Sequence, residues 1–260
     1  RAMFESRMRG APPRGEAALR EERRLHGASL RYYRGCGLVL IAAGLAWFAS
    51  RSARMVIGCV ATLCLIGAFG MWDDMMKTIS MILTSTLMAI AVGLPIGVLM
   101  SRSDRVQAVV NPVLDVMQTM PPFVYLIPAI VFFGIGMVPG LIATVIFVLP
   151  APIRLTHLGI SSTPEALVEA GRAFGATRRQ LLWKVELPSA LSQIMAGLNQ
   201  TIMLSLSMVV VAALVGASGL GVPVVRALNS VNTALGFESG IVIVVVAVIL
   251  DRVLSVRRTP

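Results

Sequence analysis

Few side chains in this 260-residue chain have the chemistry for catalysis, and their spacing argues against it. Only two lysines occur, Lys77 and Lys184. Neither follows the glycine-rich run of a GxxxxGK[ST] phosphate loop, so nothing in the sequence would cradle the phosphates of ATP. Gly216-Ala217-Ser218-Gly219 has the GxSG spacing of an intramembrane serine nucleophile, which needs a base, usually His. Both histidines, His26 and His157, precede it, and neither sits in a span that could reach Ser218. The GASG stretch therefore reads as a flexible glycine turn. No His/Cys/Asp cluster has metal-ligand spacing. Cys36, Cys59 and Cys64 lie in apolar runs without CxxC spacing and read as buried packing residues. The acidic residues in or near apolar runs are Asp73, Asp74, Asp115, Glu238 and Asp251, all at run ends or in loops. That counts against a carrier driven by protons or sodium. The chain reads as a non-enzyme that binds no cofactor or metal of its own.

The most informative polar stretch is 163–188, TPEALVEAGRAFGATRRQLLWKVELP, which lies between hydrophobic segments. Its pattern predicts two short helices. Thr163 is placed to cap the first, with Pro164 at the first helical position, where a missing N–H costs nothing. Ala166, Leu167, Ala170, Ala173 and Phe174 fall at three- and four-residue spacing and form one apolar face. Gly175 stands where a helix ends in a left-handed residue. Thr177 and Gln180 form a capping box for the second helix, whose apolar face is Leu181, Leu182 and Val185, and Pro188 closes it. Such a hairpin is either a docking element for a soluble partner or a structured loop packed on its own bundle.

The elements that must position this hairpin are apolar. The chain is 56% hydrophobic and 14% charged, with a mean hydropathy of +0.81, against about 25% charged residues in soluble domains. It is an integral membrane protein, and its long apolar runs broken by Gly and Pro lack the alternating short strands of a β-barrel. The net charge of +10 does not point to nucleic acid. All but two of the 23 basic residues are arginines clustered at the ends of apolar runs, as topology signals are.

Residues 1–34 form an Arg-rich tail without a sustained period. Residues 35–260 form the membrane domain, which includes the hairpin. The run 35–49 would span only ~22 Å as a helix, short against a ~30 Å hydrocarbon core. Further runs cover 55–72 and 79–100, the latter with Pro95 as a kink and Gly93 and Gly97 as a close-packing surface. The segment 106–120 is half-apolar. The run 123–149 reads as two spans joined by a tight turn at GMVPG. A span over 191–215, a Gly- and Asn-rich stretch over 216–236 that is re-entrant or external, and a span over 241–254 complete the bundle. The expected fold is all-α, a polytopic helical bundle of about six or seven spans. Positive-inside bookkeeping puts the hairpin, the loop 101–105 and the C-terminus in the cytoplasm. It also puts the basic tail outside, against the same rule, unless 35–49 does not fully cross.

Glu169-Ala170-Gly171, three residues, Gly175, nine residues, Val185, one residue and Leu187-Pro188 follow the spacing EAA-x3-G-x9-I-x-LP. Gly171 stands for the second Ala and Val185 for Ile. On these residues the chain resembles the permeases of ABC importers. The stretches MQTMPPFVYLIPAIVFFGIGMVPG, LVEAGRAFGATRRQLLWKVELP, IMAGLNQTIMLSLSMVV and ILDR are similar to the glycine betaine/proline betaine (quaternary amine) permease branch. The resemblance runs from about residue 38 to 254.

It implies a type I importer fold, with two permease copies around a central pathway and two ATPase subunits beneath, which carry ATP and magnesium. It also implies an extracytoplasmic substrate-binding protein and a bacterial or archaeal cell membrane. The solute would be glycine betaine, proline betaine or choline, or in the alternative another small solute such as an amino acid. Glu169, Ala170, Gly171, Gly175, Val185, Leu187 and Pro188 would couple the permease to the ATPase. A betaine needs π faces or polar groups for its cation, and helix N-termini or amides for its carboxylate. Asn199, Gln200, Thr201, Ser205 and Ser207 are polar residues of one span. They serve either as pathway lining or as interhelical hydrogen bonds. Met120, Phe123 and Tyr125, beside Pro121-Pro122, are gate or packing residues.

Overall fold

By its internal contacts the chain divides into residues 1–67 and 68–260. The computed structural model describes residues 63–64, 66–67 and 69–255. The tail, the run 35–49, most of the run 55–72 and the domain boundary at 34/35 lie outside the described residues. Cys64, expected to be buried, is exposed.

Every regular element of residues 69–255 is helical. In chain order they are α1 (Trp72–Arg102), α2 (Asp104–Thr119), a 3-10 turn (Pro122–Tyr125), α3 (Leu126–Phe133), α4 (Met137–Val148) and α5 (Pro150–Ser161). There follow α6 (Glu165–Ala173), α7 (Arg178–Leu181), a π turn (Leu182–Glu186), α8 (Leu187–Ala213), α9 (Gly221–Ser230) and α10 (Thr233–Ser255).

The all-α membrane bundle is present, but the span count of six or seven is corrected. Among the described residues four helical stretches are long and apolar enough to cross a membrane: Trp72–Arg102, Met137–Ser161, Arg178–Ala213 and Thr233–Arg252. A fifth is obtained only if Asp104–Thr119 and Pro122–Phe133, bent by 108°, count as one broken span. The overcount has a physical origin. The run 123–149 breaks into two helices at the start of GMVPG rather than at its Pro139, which lies in the first turn of α4, where its absent N–H has no partner to lose. The chain instead turns at Gly134 and Gly136, with φ of +74° and +150°, and the Gly136 N–H donates to the Val215 carbonyl at 2.8 Å. That leaves α3 with eight residues, ~12 Å, too short to cross by itself.

α1, α5 and α8 pack along small residues, as helices in lipid do when van der Waals contact rather than water exclusion drives association. A Cβ on Gly93 would lie 2.8 Å from the Pro152 ring. One on Gly97 would lie 2.7 Å from Thr156 Cβ and 2.8 Å from the Ile153 carbonyl oxygen. The expected close-packing surface is therefore the α1–α5 contact. α8 approaches α5 in the same way, with Gly159 against Ala190 and Gly197 against Leu155. Ser85 Oγ donates to Ser205 Oγ at 3.2 Å between α1 and α8. A second cluster, Tyr125, Leu126, Ala129, Ala143, Met208 and Val215, seats α3 and α4 on α8.

Candidate functional site

The hairpin forms, with two changes from its expected boundaries. Pro164 rather than Thr163 takes the cap position of α6. The extended ψ of Pro164 (129°) starts the helix one residue later, and its carbonyl accepts from the Leu167 N–H at 3.0 Å. The far end of α6 is a Schellman motif around Gly175 (φ +75°). The Ala176 N–H reaches the Gly171 carbonyl at 3.1 Å and the Gly175 N–H reaches the Arg172 carbonyl at 2.9 Å. The capping box is complete. The Gln180 N–H donates to Thr177 Oγ1 at 3.3 Å, and the Thr177 N–H to Gln180 Oε1 at 2.9 Å.

The second change concerns Pro188, which does not close the second helix. The helical path runs unbroken from Arg178 to Ala213, 36 residues or ~54 Å. That exceeds a ~30 Å hydrocarbon core, so the hairpin end of this helix projects from it. Pro188 is admitted because it stands in the first turn of α8, directly after the π turn. The π turn shifts the hydrogen-bond register, so the proline breaks no α-type bond of its own.

The two apolar faces have opposite fates. Leu181 is 4% exposed, with Leu182 and Val185 half-buried, so the face of the second arm turns inward. α6 buries none of its residues, and Phe174 at its end is 92% exposed with Leu167 at 49%. Trp183, on the π turn, is also exposed. A sticky face on a short projecting helix is left without a partner within the described chain.

Within the hairpin Glu169, Ala170, Gly175 and Pro188 are exposed, and Gly171, Val185 and Leu187 are half-buried. Gly171 is where the two arms touch, since a Cβ there would lie 2.7 Å from Leu181 Cδ1. A Cβ on Gly175 would meet nothing within 4 Å, so the chain asks for glycine there by conformation alone. The hairpin is tied to α1 by Arg102, whose Nη2 donates to Glu186 Oε2 at 2.8 Å and to the Arg178 carbonyl at 3.3 Å. Nothing in the sequence pairs these residues. The only signal is an arginine and a glutamate standing at the ends of two apolar runs.

The polar residues of α8 do not share one face. Thr201 and Ser205 are buried within the protomer, Thr201 Oγ1 donating to the Gly197 carbonyl at 2.7 Å and Ser205 paired with Ser85. Asn199 Nδ2 donates to Asp251 Oδ1 at 3.2 Å, which ties α8 to α10. Gln200 and Ser207 are exposed. Tyr125 is buried, its hydroxyl donates to the Met117 carbonyl, and its ring meets Phe147 edge-on with centroids 5.9 Å apart. Met120 packs beside it while Phe123 is exposed.

An ion pair that sequence reading passed over joins Arg154 of α5 to Asp115 of α2. The GASG stretch is a fixed corner rather than a flexible turn. The Leu220 N–H donates to Thr78 Oγ1 at 2.8 Å, and a Cβ on Gly219 would lie 2.5 Å from the same oxygen. Among the described residues no three His, Cys, Asp or Glu side chains are grouped to hold a metal.

Comparison with known proteins places this arrangement. Residues 89–256 match the family model described as the binding-protein-dependent transport system inner membrane component. The chain is 51% identical over 216 residues to the glycine betaine transport system permease protein OpuAB of Bacillus subtilis, covering 83% of this chain and 76% of that one. It is 47% identical over 214 residues to the glycine betaine/proline betaine transport system permease protein ProW of Escherichia coli, covering 82% of this chain and 60% of the longer relative. Among solved structures, a chain of the MetNI methionine ABC transporter in an inward-facing conformation superposes with a TM-score of 0.67 at 22% identity. That match covers 72% of this chain and 94% of that one, and it shows a shared fold. The chain belongs to the binding-protein-dependent transport system inner membrane component family.

Proposed function

From that membership we propose that the chain is the permease subunit of an ATP-driven importer for quaternary amine compatible solutes, glycine betaine, proline betaine or choline. It provides the membrane passage and does not hydrolyse ATP, which with its magnesium is handled by a partner ATPase. A substrate-binding protein delivers the solute from the far side. Two copies of the permease pair around the pathway over two ATPase subunits, with the hairpin and the C-terminus on the cytoplasmic side.

The observation that carries the coupling role is the unpartnered apolar face of α6, held at a fixed angle by a Schellman motif and a capping box. Glu169, Ala170, Gly171, Gly175, Val185, Leu187 and Pro188 shape that element, and a groove on the ATPase fits over it. When ATP closes the ATPase dimer, the hairpins move with it and rock the spans between inward- and outward-open states. Solute crosses because its affinity differs between those states. In the pathway reading Gln200, exposed on α8, faces the solute. Asn199 lies beside it, and Thr201, Ser205 and Tyr125 shape the wall from behind.

Uptake of labelled glycine betaine, choline, proline and an amino acid at high osmolarity, with and without this chain, tests the assignment. Betaine or choline uptake that disappears with the chain is the expected result. Loss of amino-acid uptake alone would move the chain to another solute.

A further inference from the structure

The hairpin joins the bundle covalently at both ends, through residues 162–164 to α5 and from α7 into α8, and the second path contains the π turn Leu182–Glu186. A π turn closes i→i+5 bonds, a strained register found mostly as an isolated insertion at functional sites. It is the soft place in an otherwise continuous helix. A push on α7 would be absorbed there unless something holds the turn from outside.

Arg102 is placed to do so. Its Nη2 donates to the carbonyl of Arg178, the first residue of α7, and to the carboxylate of Glu186, the last residue of the π turn. One guanidinium nitrogen thus bridges the start of α7 and the far end of the soft segment, from the end of α1, a helix not adjacent to the hairpin in sequence. The pair is sheltered, with the side chains of Arg102 and Glu186 28% and 12% exposed at 2.8 Å. The surface pair Lys77–Asp74 is 52% and 36% exposed at 3.8 Å. Surface pairs contribute little, whereas a sheltered pair that loses one member leaves a charge poorly solvated. α1 is fastened to the bundle by the Gly93 and Gly97 contacts with α5 and the Ser85–Ser205 bond to α8.

We propose that Arg102 clamps the π turn across Arg178 and Glu186, so that α1, the hairpin and α8 move as one body when the ATPase closes. Arg102 is a positioning residue. It acts through Arg178 and Glu186, and its role rests on the coupling function proposed above.

The test uses the reconstituted complex with Cys36, Cys59 and Cys64 replaced by Ser and spin labels at Arg179→Cys and Ser207→Cys. These positions lie on the same long helix, ~42 Å apart at 1.5 Å per residue. With Arg102 present, the distance distribution is narrow and unchanged by trapped ATP. Arg102→Ala is expected to give a second, nucleotide-dependent population and to lower uptake per ATP hydrolysed roughly 5-fold or more. Arg102→Lys, with one compact head in place of a fork, falls between the two. The exchange Arg102→Glu with Glu186→Arg recovers uptake per ATP relative to either single change.

A distribution in Arg102→Ala that stays narrow and nucleotide-independent overturns the clamp. So does loss of ATPase subunits from the purified Arg102→Ala complex, which would assign Arg102 to docking or folding. The spin-label readout does not depend on which solute is moved. A wild-type complex that fails to import quaternary amines therefore refutes the substrate reading and leaves the clamp to be judged on distance alone.

Discussion

Gly175 allows the two reasons for a glycine to be separated by experiment. Its φ of +75° is a left-handed conformation, and a Cβ built there meets no atom of the chain within 4 Å. Replacement by Ala therefore costs only the conformational penalty, about 1–2 kcal/mol, or a 5- to 30-fold drop in the ratio of Schellman-closed to open hairpin. Asn tolerates the left-handed region far better than Ala, yet carries a larger side chain into the space outside the hairpin. If Gly175 serves conformation alone, Ala is the worse variant. If it also lets the ATPase approach the backbone closely, Asn is worse, and Asp worse still because it adds a charge to be desolvated.

The docking role predicts the second order: Gly175→Ala retains most substrate-stimulated ATP hydrolysis, Gly175→Asn loses more, and Gly175→Asp loses it while still inserting in the membrane. The assay is ATP hydrolysis by the reconstituted complex with and without substrate and binding protein. Membrane insertion is checked by immunoblot of membrane fractions. Wild-type stimulation in Gly175→Asn alongside a defective Gly175→Ala would refute the argument that a partner occupies the empty space.

Two further substitutions test the packing and the exposed face. Gly97→Ala places a Cβ against the Ile153 carbonyl and Thr156, of which the backbone oxygen cannot give way. A loss of about 1–3 kcal/mol is expected, seen as a lower thermal midpoint of the detergent-purified protein, and an unchanged midpoint would deny the close α1–α5 approach. Phe174→Ala removes a side chain that is 92% exposed in this chain, so the midpoint should not move. Affinity for the ATPase subunit should fall ~30-fold if Phe174 is an interface anchor of 2 kcal/mol or more. Equal affinity in a pull-down titration would place the docking surface elsewhere.

The local signals of the hairpin could be read from sequence because each is short-range. A capping box needs only Thr177 and Gln180 at the right spacing, and a helix stop needs only Gly175 in a left-handed conformation. Composition made the chain a membrane protein, and the spacing from Glu169 to Pro188 placed it among importer permeases. The span count was misread because hydropathy measures how apolar a run is and does not say where it turns. Of the breakers Gly134, Gly136, Pro139 and Gly140, the turn falls at the first two, while Pro139 and Gly140 lie inside α4. Pro188 looked like a stop for the same reason, because the π turn that admits it leaves no sequence mark.

Tertiary structure alone decided which of the hairpin's two apolar faces stays free. Both have helical periodicity, and only packing shows that Leu181 is buried against Gly171 while Phe174 faces outward. It also joined Arg102 to Glu186 across 84 residues of sequence. Local pattern fixes where a helix starts, stops and turns its apolar side. What that side meets depends on segments distant in the chain, and no spacing within one element encodes them.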